Sequence, residues 1–367
     1  MKAVVCLWII MTYCKTVGYA VASQKPELPN ANNVFIITLD GFRWQELFFG
    51  ADSSLIHNER FTKERGIVRN FFWDKDFKER RKKLLPFFWN VIAKDGQLFG
   101  NRLYHNKVNV SNMYALSYPG YNEIFTGSTD FSIFSNSKIK NRNISFFEYL
   151  DKKSSFEGKV ASFTSWGLFP YIFNKDRSAF HLNSQNKIFE GNSSSFFKKD
   201  NDNNSIRNDF DTYSAAKEYI LTNHPRLVHI GLSGTDTYGH KKQYDYYLYQ
   251  AHLADKIIAG LWQVVQGSPF YRDNTTFIIT TDHGRGSSEN SWYKHGMFVK
   301  GSSQTWVALI GNGIKRIGEC RQGIQLYQKQ VAGTMGYFLN ANAYRNYSFP
   351  LSYFTALNNR RQGITDF

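Results

Sequence analysis

Three apolar, β-branched runs in this chain each end in an aspartate, and that repetition constrains the fold more than any other feature. "NNVFIITLDGF" carries Asp40, "RLVHIGLSGTD" ends at Asp236, and "TTFIITTDHG" carries Asp282 with His283 beside it. A continuous apolar run has no polar face, so it belongs in a strand covered on both sides. "KVASFTSW" and "QTWVALIGNG" read as further strands. Helical periodicity runs through "KKLLPFFWNVIAKDG", "DTYSAAKEYILTNH", "YYLYQAHLADKIIAGLWQVV" and "YQKQVAGTMGYFLN". Buried strands alternating with amphipathic helices predict an α/β fold, a three-layer α/β/α sandwich around a mostly parallel sheet. Ligands of such sheets bind beyond the carboxyl ends of the strands, which is where the three acids fall.

The organisation is that of one large domain. The 367 residues are 42% hydrophobic and 17% aromatic, and the domain is expected over residues 33–345. Lys2, the apolar "AVVCLWIIM" and "VGYA" predict a signal peptide over 1–20, followed by a polar linker over 21–32. The apolar segment is too short for a confident span, so no stable membrane span is expected after cleavage. The protein is accordingly expected to be secreted or periplasmic. Cleavage leaves Cys320 as the remaining cysteine; without an internal disulfide, a large core or bound metal must supply stability. The Asn/Ser-rich stretch 178–206 predicts a small inserted cap or lid, and 346–367 a C-terminal tail.

The formal charge of +15 admits nucleic acid, acidic surfaces or small anions as partners. Its densest run, "KERRKK" at 78–83, reads as a solvated helix face. No nucleic-acid recognition motif accompanies it, which leaves acidic surfaces and small anions.

The chemistry-bearing residues sit after the strands. They are Asp40, Asp236 and His240 in "GTDTYGH", Asp282 and His283 in "TDHG", and His295 in "YKHG". Mixed carboxylate and imidazole suits zinc, or less selectively manganese or iron, better than calcium or magnesium. Six protein ligands exceed what one catalytic zinc takes, and shared between two ions they leave each about three. A two-metal site follows, with zinc as the expected ion. Ser117, on the turn in "NMYALSYPGYNEIFTG", has no Ser-His-Asp neighbourhood in sequence, so its activator must come from elsewhere.

This order of an acid after the first strand, a serine, then D-x-x-x-H, D-H and H resembles the alkaline phosphatase superfamily. Within it, the type I phosphodiesterase/nucleotide pyrophosphatase-like branch and related secreted phosphatases are most similar. The resemblance spans roughly residues 32–340. It implies one metal on Asp236, His240 and His295, and a second on Asp40, Asp282 and His283 with Ser117 Oγ alongside. It also implies phosphate-ester hydrolysis through a covalent phosphoserine on Ser117, with a small phosphorylated substrate as the partner. Asn136 in "FSNSK" lies where relatives place an amide that binds a phosphate oxygen. Lys175 and Arg177 in "NKDRS" resemble a phosphate clamp that would favour a monoester dianion. A monoesterase is therefore the first expectation, and a phosphodiesterase the second. A sulfatase would need arginine at Tyr121 in "SYPGY". A silent phosphate- or glycan-binding protein on the same fold is the alternative of another kind. Specificity is expected from 178–206 and from the aromatic-rich loops near Trp44, Phe48 and Tyr121.

Overall fold

The structure, a computed structural model, describes residues 33–184, 207–341 and Phe349. The signal peptide 1–20, the linker 21–32, most of the 178–206 cap and all of the 346–367 tail but Phe349 lie outside the described residues. Among the described residues eleven strands follow in chain order. They are β1 (Asn33–Leu39), β2 (Gly96–Phe99), β3 (Asn106–Asn109), β4 (Val160–Thr164), β5 (His181–Ser184) and β6 (Leu227–Leu232). The rest are β7 (Thr275–Thr280), β8 (Gln304–Thr305), β9 (Val307–Gly311), β10 (Gly318–Glu319) and β11 (Ile324–Tyr327).

Eight of these form one sheet in the order β10-β2-β9-β7-β1-β6-β4-β5, and β11-β3-β8 form a small second sheet. In the large sheet β9 alone runs against its neighbours. The three acid-ending strands stand side by side, β7-β1-β6, with β1 in the middle. Their registers align the carboxyl ends: Leu39 pairs with Leu232, and Thr38 with Thr280. Asp40, Asp282 and the turn leading to Asp236 therefore leave the sheet at one level.

Why these strands lie in the middle is visible in their parity. Successive side chains point to opposite faces. Phe35, Ile37 and Leu39 enter one core, shared with Val228, Ile230, Phe277 and Ile279. Val34 and Ile36 enter the other, with Leu227 and Ile278. The first core is closed by the helices Asp209–Asn223 and Tyr244–Gly267. The second is closed by Ser117–Thr126, Phe146–Asp151 and Gln330–Phe338. Two cores on two faces make the α/β/α sandwich. The "KERRKK" run forms part of the helix Phe77–Leu84 and is largely solvated, but Arg81 turns inward over Trp89 and pairs with Glu319 at 3.3 Å.

The helix Ser117–Thr126 positions the site, and two buried residues place it. Glu123 accepts hydrogen bonds from the backbone N–H groups of Ser111, Asn112 and Lys329 and from Asn112 Nδ2. It thereby ties the loop before Ser117 to the helix it opens. Gly120 abuts the end of β7, where a Cβ would clash with the Asp282 carbonyl oxygen. Gly120→Ala is expected to force the helix off that strand end, at a cost of about 1–3 kcal/mol in chemical denaturation.

Candidate active site

Two groups of side chains sit beyond the strand ends. Asp236, His240 and His295 form one, and Asp40, Asp282 and His283 the other; within each, one ligand atom per residue lies within 4.8 Å of the rest. Asp236 and His240 project from the short helix Gly234–His240, whose i, i+4 spacing puts both on one face. Asp236 Oδ1 lies 3.9 Å from His295 Nε2 and 4.0 Å from His283 Nε2, so it stands between the two groups.

Each group could hold a metal ion, and three observations fit one. Asp40 Oδ1 and Asp282 Oδ2 are buried without a hydrogen-bond partner, a costly state that a cation relieves. His283 Nε2 points at both, 3.5 Å and 3.6 Å away. In the other group, His240 Nε2 lies 3.0 Å from His295 Nε2 and 3.2 Å from Asp236 Oδ2. Ligand atoms around a tetrahedral zinc with ~2.0 Å bonds sit ~3.3 Å apart. The imidazoles are also oriented for it. His283 Nδ1 is 2.9 Å from the Gly284 carbonyl and His295 Nδ1 3.2 Å from that of Ala115. Donation from Nδ1–H to these carbonyls turns each Nε2 lone pair into the site.

The charge pattern follows from burial. Burial first, then the charges of Asp282 and Asp236, hold Asp40 well above the usual carboxylate range. Burial pushes Asp282 up to about 6. For Asp236 burial acts upward too, but the Arg285 guanidinium and His240 outweigh it and hold the carboxyl well below its ordinary value. Burial lowers His283 to about 4 and His295 to about 3, so both rings are neutral at pH 7 and free to ligate.

Ser117 is the first residue of its helix and is 3% exposed, buried rather than displayed on an open turn. Its Oγ lies 3.3 Å from His283 Nε2. The positive end of the helix dipole faces whatever anion meets it. Asn136 is brought alongside: its Oδ1 accepts from the Tyr118 N–H at 2.9 Å. Lys175 and Arg177 are not brought in. Lys175 Nζ donates to the carbonyls of Ser178 and Phe180, and Arg177 donates to those of Arg142 and Asn143 and pairs with Glu148 at 2.9 Å. Their contacts lie in the 142–180 scaffold, because a buried carboxylate and bare carbonyls there need donors.

The aromatic loops also differ from expectation. Phe48 and Tyr121 are fully buried, and Trp44 is half-buried with its Nε1–H donated to Gln304. Tyr121 serves the site from behind, donating from its hydroxyl to Asp40 Oδ2 at 3.3 Å.

Arg285 is the residue that sequence reasoning missed. It follows the ligand pair in "DHGRG", and its buried guanidinium pairs with Asp236 Oδ1. It also donates to the carbonyls of Gly41, Tyr293 and Asp236. Gly239 makes room for it, since a Cβ there would stand 2.6 Å from Arg285 Cζ. One cation thus ties the ends of β1 and β7 to the Asp236 helix and leaves Asp236 Oδ2 for a metal. The signal available in sequence was charge balance: three acids in one buried place call for a neighbouring cation.

A family model described as type I phosphodiesterase / nucleotide pyrophosphatase matches residues 60–318. That range holds Ser117 and every residue of the two groups except Asp40. Among curated proteins none matches the chain. Among solved structures, the lipoteichoic acid synthase LtaP from Listeria monocytogenes has a TM-score of 0.58 at 11% identity, over 89% of this chain and 77% of that one. A putative sulfatase from Bacteroides thetaiotaomicron has a TM-score of 0.57 at 11% identity, over 84% and 71%. Murine ectonucleotide pyrophosphatase/phosphodiesterase 5, solved in complex with AMP, has a TM-score of 0.51 at 12% identity, over 88% and 100%. At such identities the likeness shows the shared fold.

Two outcomes are expected of this geometry. Arg285→Met leaves Asp236 and several carbonyls without their donor, and should cost about 3–5 kcal/mol in denaturant unfolding. Protons compete with metal for carboxylate oxygens, so zinc affinity should hold above pH 6 and weaken as pH falls through the Asp282 value of about 6. Competition with a chromophoric chelator at several pH values measures it.

Proposed function

Because the chain belongs to the type I phosphodiesterase / nucleotide pyrophosphatase family, whose members are phosphoric ester hydrolases, we propose that it cleaves phosphodiesters with Ser117 as nucleophile and two zinc ions as cofactors. The observation that carries the reading is Ser117 Oγ at a helix N-terminus, 3.3 Å from His283 Nε2 and beside two groups able to hold metal.

In this reading Asp236, His240 and His295 hold one ion, and Asp40, Asp282 and His283 the other. Bound there, the ions supply Lewis acidity that lowers the pKa of the serine hydroxyl and neutralises the phosphoryl oxygens. Ser117 Oγ attacks phosphorus in line, the ester P–O bond opposite breaks, and the departing oxygen takes up a proton. Water then cleaves the phosphoserine and restores the hydroxyl. Asn136 borders the attacked group, and the first helical turn faces its oxygens.

The charge inventory favours a diester. A monoester dianion carries one more negative charge and calls for added cationic donors. Lys175 and Arg177, the side chains that would supply them, are engaged in the scaffold. A diester monoanion needs only the metals and the helix terminus. The AMP held by the murine neighbour is consistent with a nucleotide-type ester. Export rests on the Lys2-to-Ala20 pattern, and among the described residues no helix is long and apolar enough to cross a membrane.

The test is a comparison of p-nitrophenyl phosphate, bis-p-nitrophenyl phosphate and p-nitrophenyl sulfate, with and without chelator. Chelator-sensitive preference for the diester is expected. Preference for the monoester would restore the other phosphatase reading, and zinc bound without turnover would leave a binding protein. Ser117→Ala should lower turnover by at least about a thousandfold with zinc content unchanged; full activity would remove Ser117 as nucleophile.

A further inference from the structure

The mouth of the site is bordered by large apolar side chains that the described residues leave in the open. Phe298 is 96% exposed, Phe131 72%, Phe134 62% and Met113 50%. Single exposed apolar residues are ordinary, but a contiguous set beside a site marks an interaction surface. These belong together because the segment before Ser117 touches both loops that carry them. The Tyr114 hydroxyl donates to the Phe131 carbonyl at 2.8 Å, and its ring lies 6.5 Å from that of Phe134. One residue on, the Ala115 carbonyl meets His295 Nδ1 at 3.2 Å, which anchors the loop leading to Met297 and Phe298. Two loops with exposed apolar side chains thus meet at the segment that leads into Ser117.

The same border is cationic. Lys294 and Lys300 are exposed on either side of Phe298, and Lys242 is exposed beside the same loop, its Nζ 4.6 Å from the Tyr293 ring. The neighbouring acids are turned to other partners. Asp130 accepts from Ser132 and Asn143, and Glu289 takes the Asn58 amide. Exposed phenylalanines flanked by lysines have the makeup of an interfacial binding face, apolar tips entering the acyl boundary while cations meet headgroups. Lysines near an anionic leaflet are drawn to its surface charge and strengthen such binding. The chain's overall +15 has the matching sign.

We propose that this face docks on a lipid surface carrying anionic headgroups and holds the mouth of the site against it. The docking stands on exposed residues outside the two ligand groups, so it holds or fails independently of Ser117 chemistry.

Cosedimentation of the purified protein without residues 1–20 with phosphatidylcholine vesicles, with and without phosphatidylserine, tests it. Binding to the anionic vesicles, released by high salt, is the expected result. Phe298→Ser, and separately Phe131→Ser with Phe134→Ser, should each weaken it by roughly tenfold or more. Lys300→Glu should weaken it as well. All are surface changes, and turnover of a soluble diester by Phe298→Ser should match the parent protein. A parent chain that stays in the supernatant with both vesicle types overturns the proposal. So does equal binding to neutral vesicles, or undiminished binding by the phenylalanine variants.

Discussion

Asp40, Asp236 and Asp282 meet where three adjacent strands end, and the repulsion among their carboxylates in a buried place is the constraint on which the rest of the site depends. Asp40 and Asp282 present ligand atoms within 4.8 Å of each other. Two unit charges at that separation repel by roughly 3–4 kcal/mol at an effective dielectric of about 20. The chain answers in two ways. Arg285 neutralises Asp236 directly, through a contact that its own backbone bonds hold in place. Asp40 and Asp282 are left with bare oxygens, and burial holds both above the ordinary carboxylate range. A site that keeps one acid paired and two unsatisfied is arranged to take up cations.

Holding that arrangement requires a rigid support, and the sheet supplies it. β1 is fully buried along its length, with Phe35, Ile37 and Leu39 in one core and Val34 and Ile36 in the other. A strand packed on both faces cannot slip by one residue without sending every side chain to the wrong core. The acids are therefore fixed by packing far from them. Behind the site, Glu123 and Tyr121 do for the serine loop and Asp40 what Arg285 does for Asp236. His229, buried in β6, shows the contrast. Its ring bridges Ser162 and Thr38 at 2.9 and 3.0 Å, and burial holds its pKa at about 3. It is a neutral core residue that the apolar run already placed inside.

Long cationic side chains behaved least as their sequence context suggests. Arg81 belongs to a run read as solvated, yet lies over Trp89 against Glu319. Lys175 and Arg177 looked like a substrate clamp and instead satisfy carbonyls and Glu148. A guanidinium goes to the nearest buried acceptors, and which acceptors are near is a property of the folded chain.

The sequence by itself determined the layered α/β fold, the strands that carry the acids, and the residue types that gather beyond them. Those features are local: apolar runs, periodicities of two and 3.6, and acids at strand ends can be read within a window of a dozen residues. Only the tertiary structure decided that β7, β1 and β6 are neighbours with level ends. It decided that Ser117 is buried against His283, and that Phe48 and Tyr121 are core rather than mouth. It also decided that Arg285 spends itself on Asp236, 49 positions away in the chain. Contacts across such separations depend on how strands are ordered and how closely helices approach, and no short window of sequence carries that information.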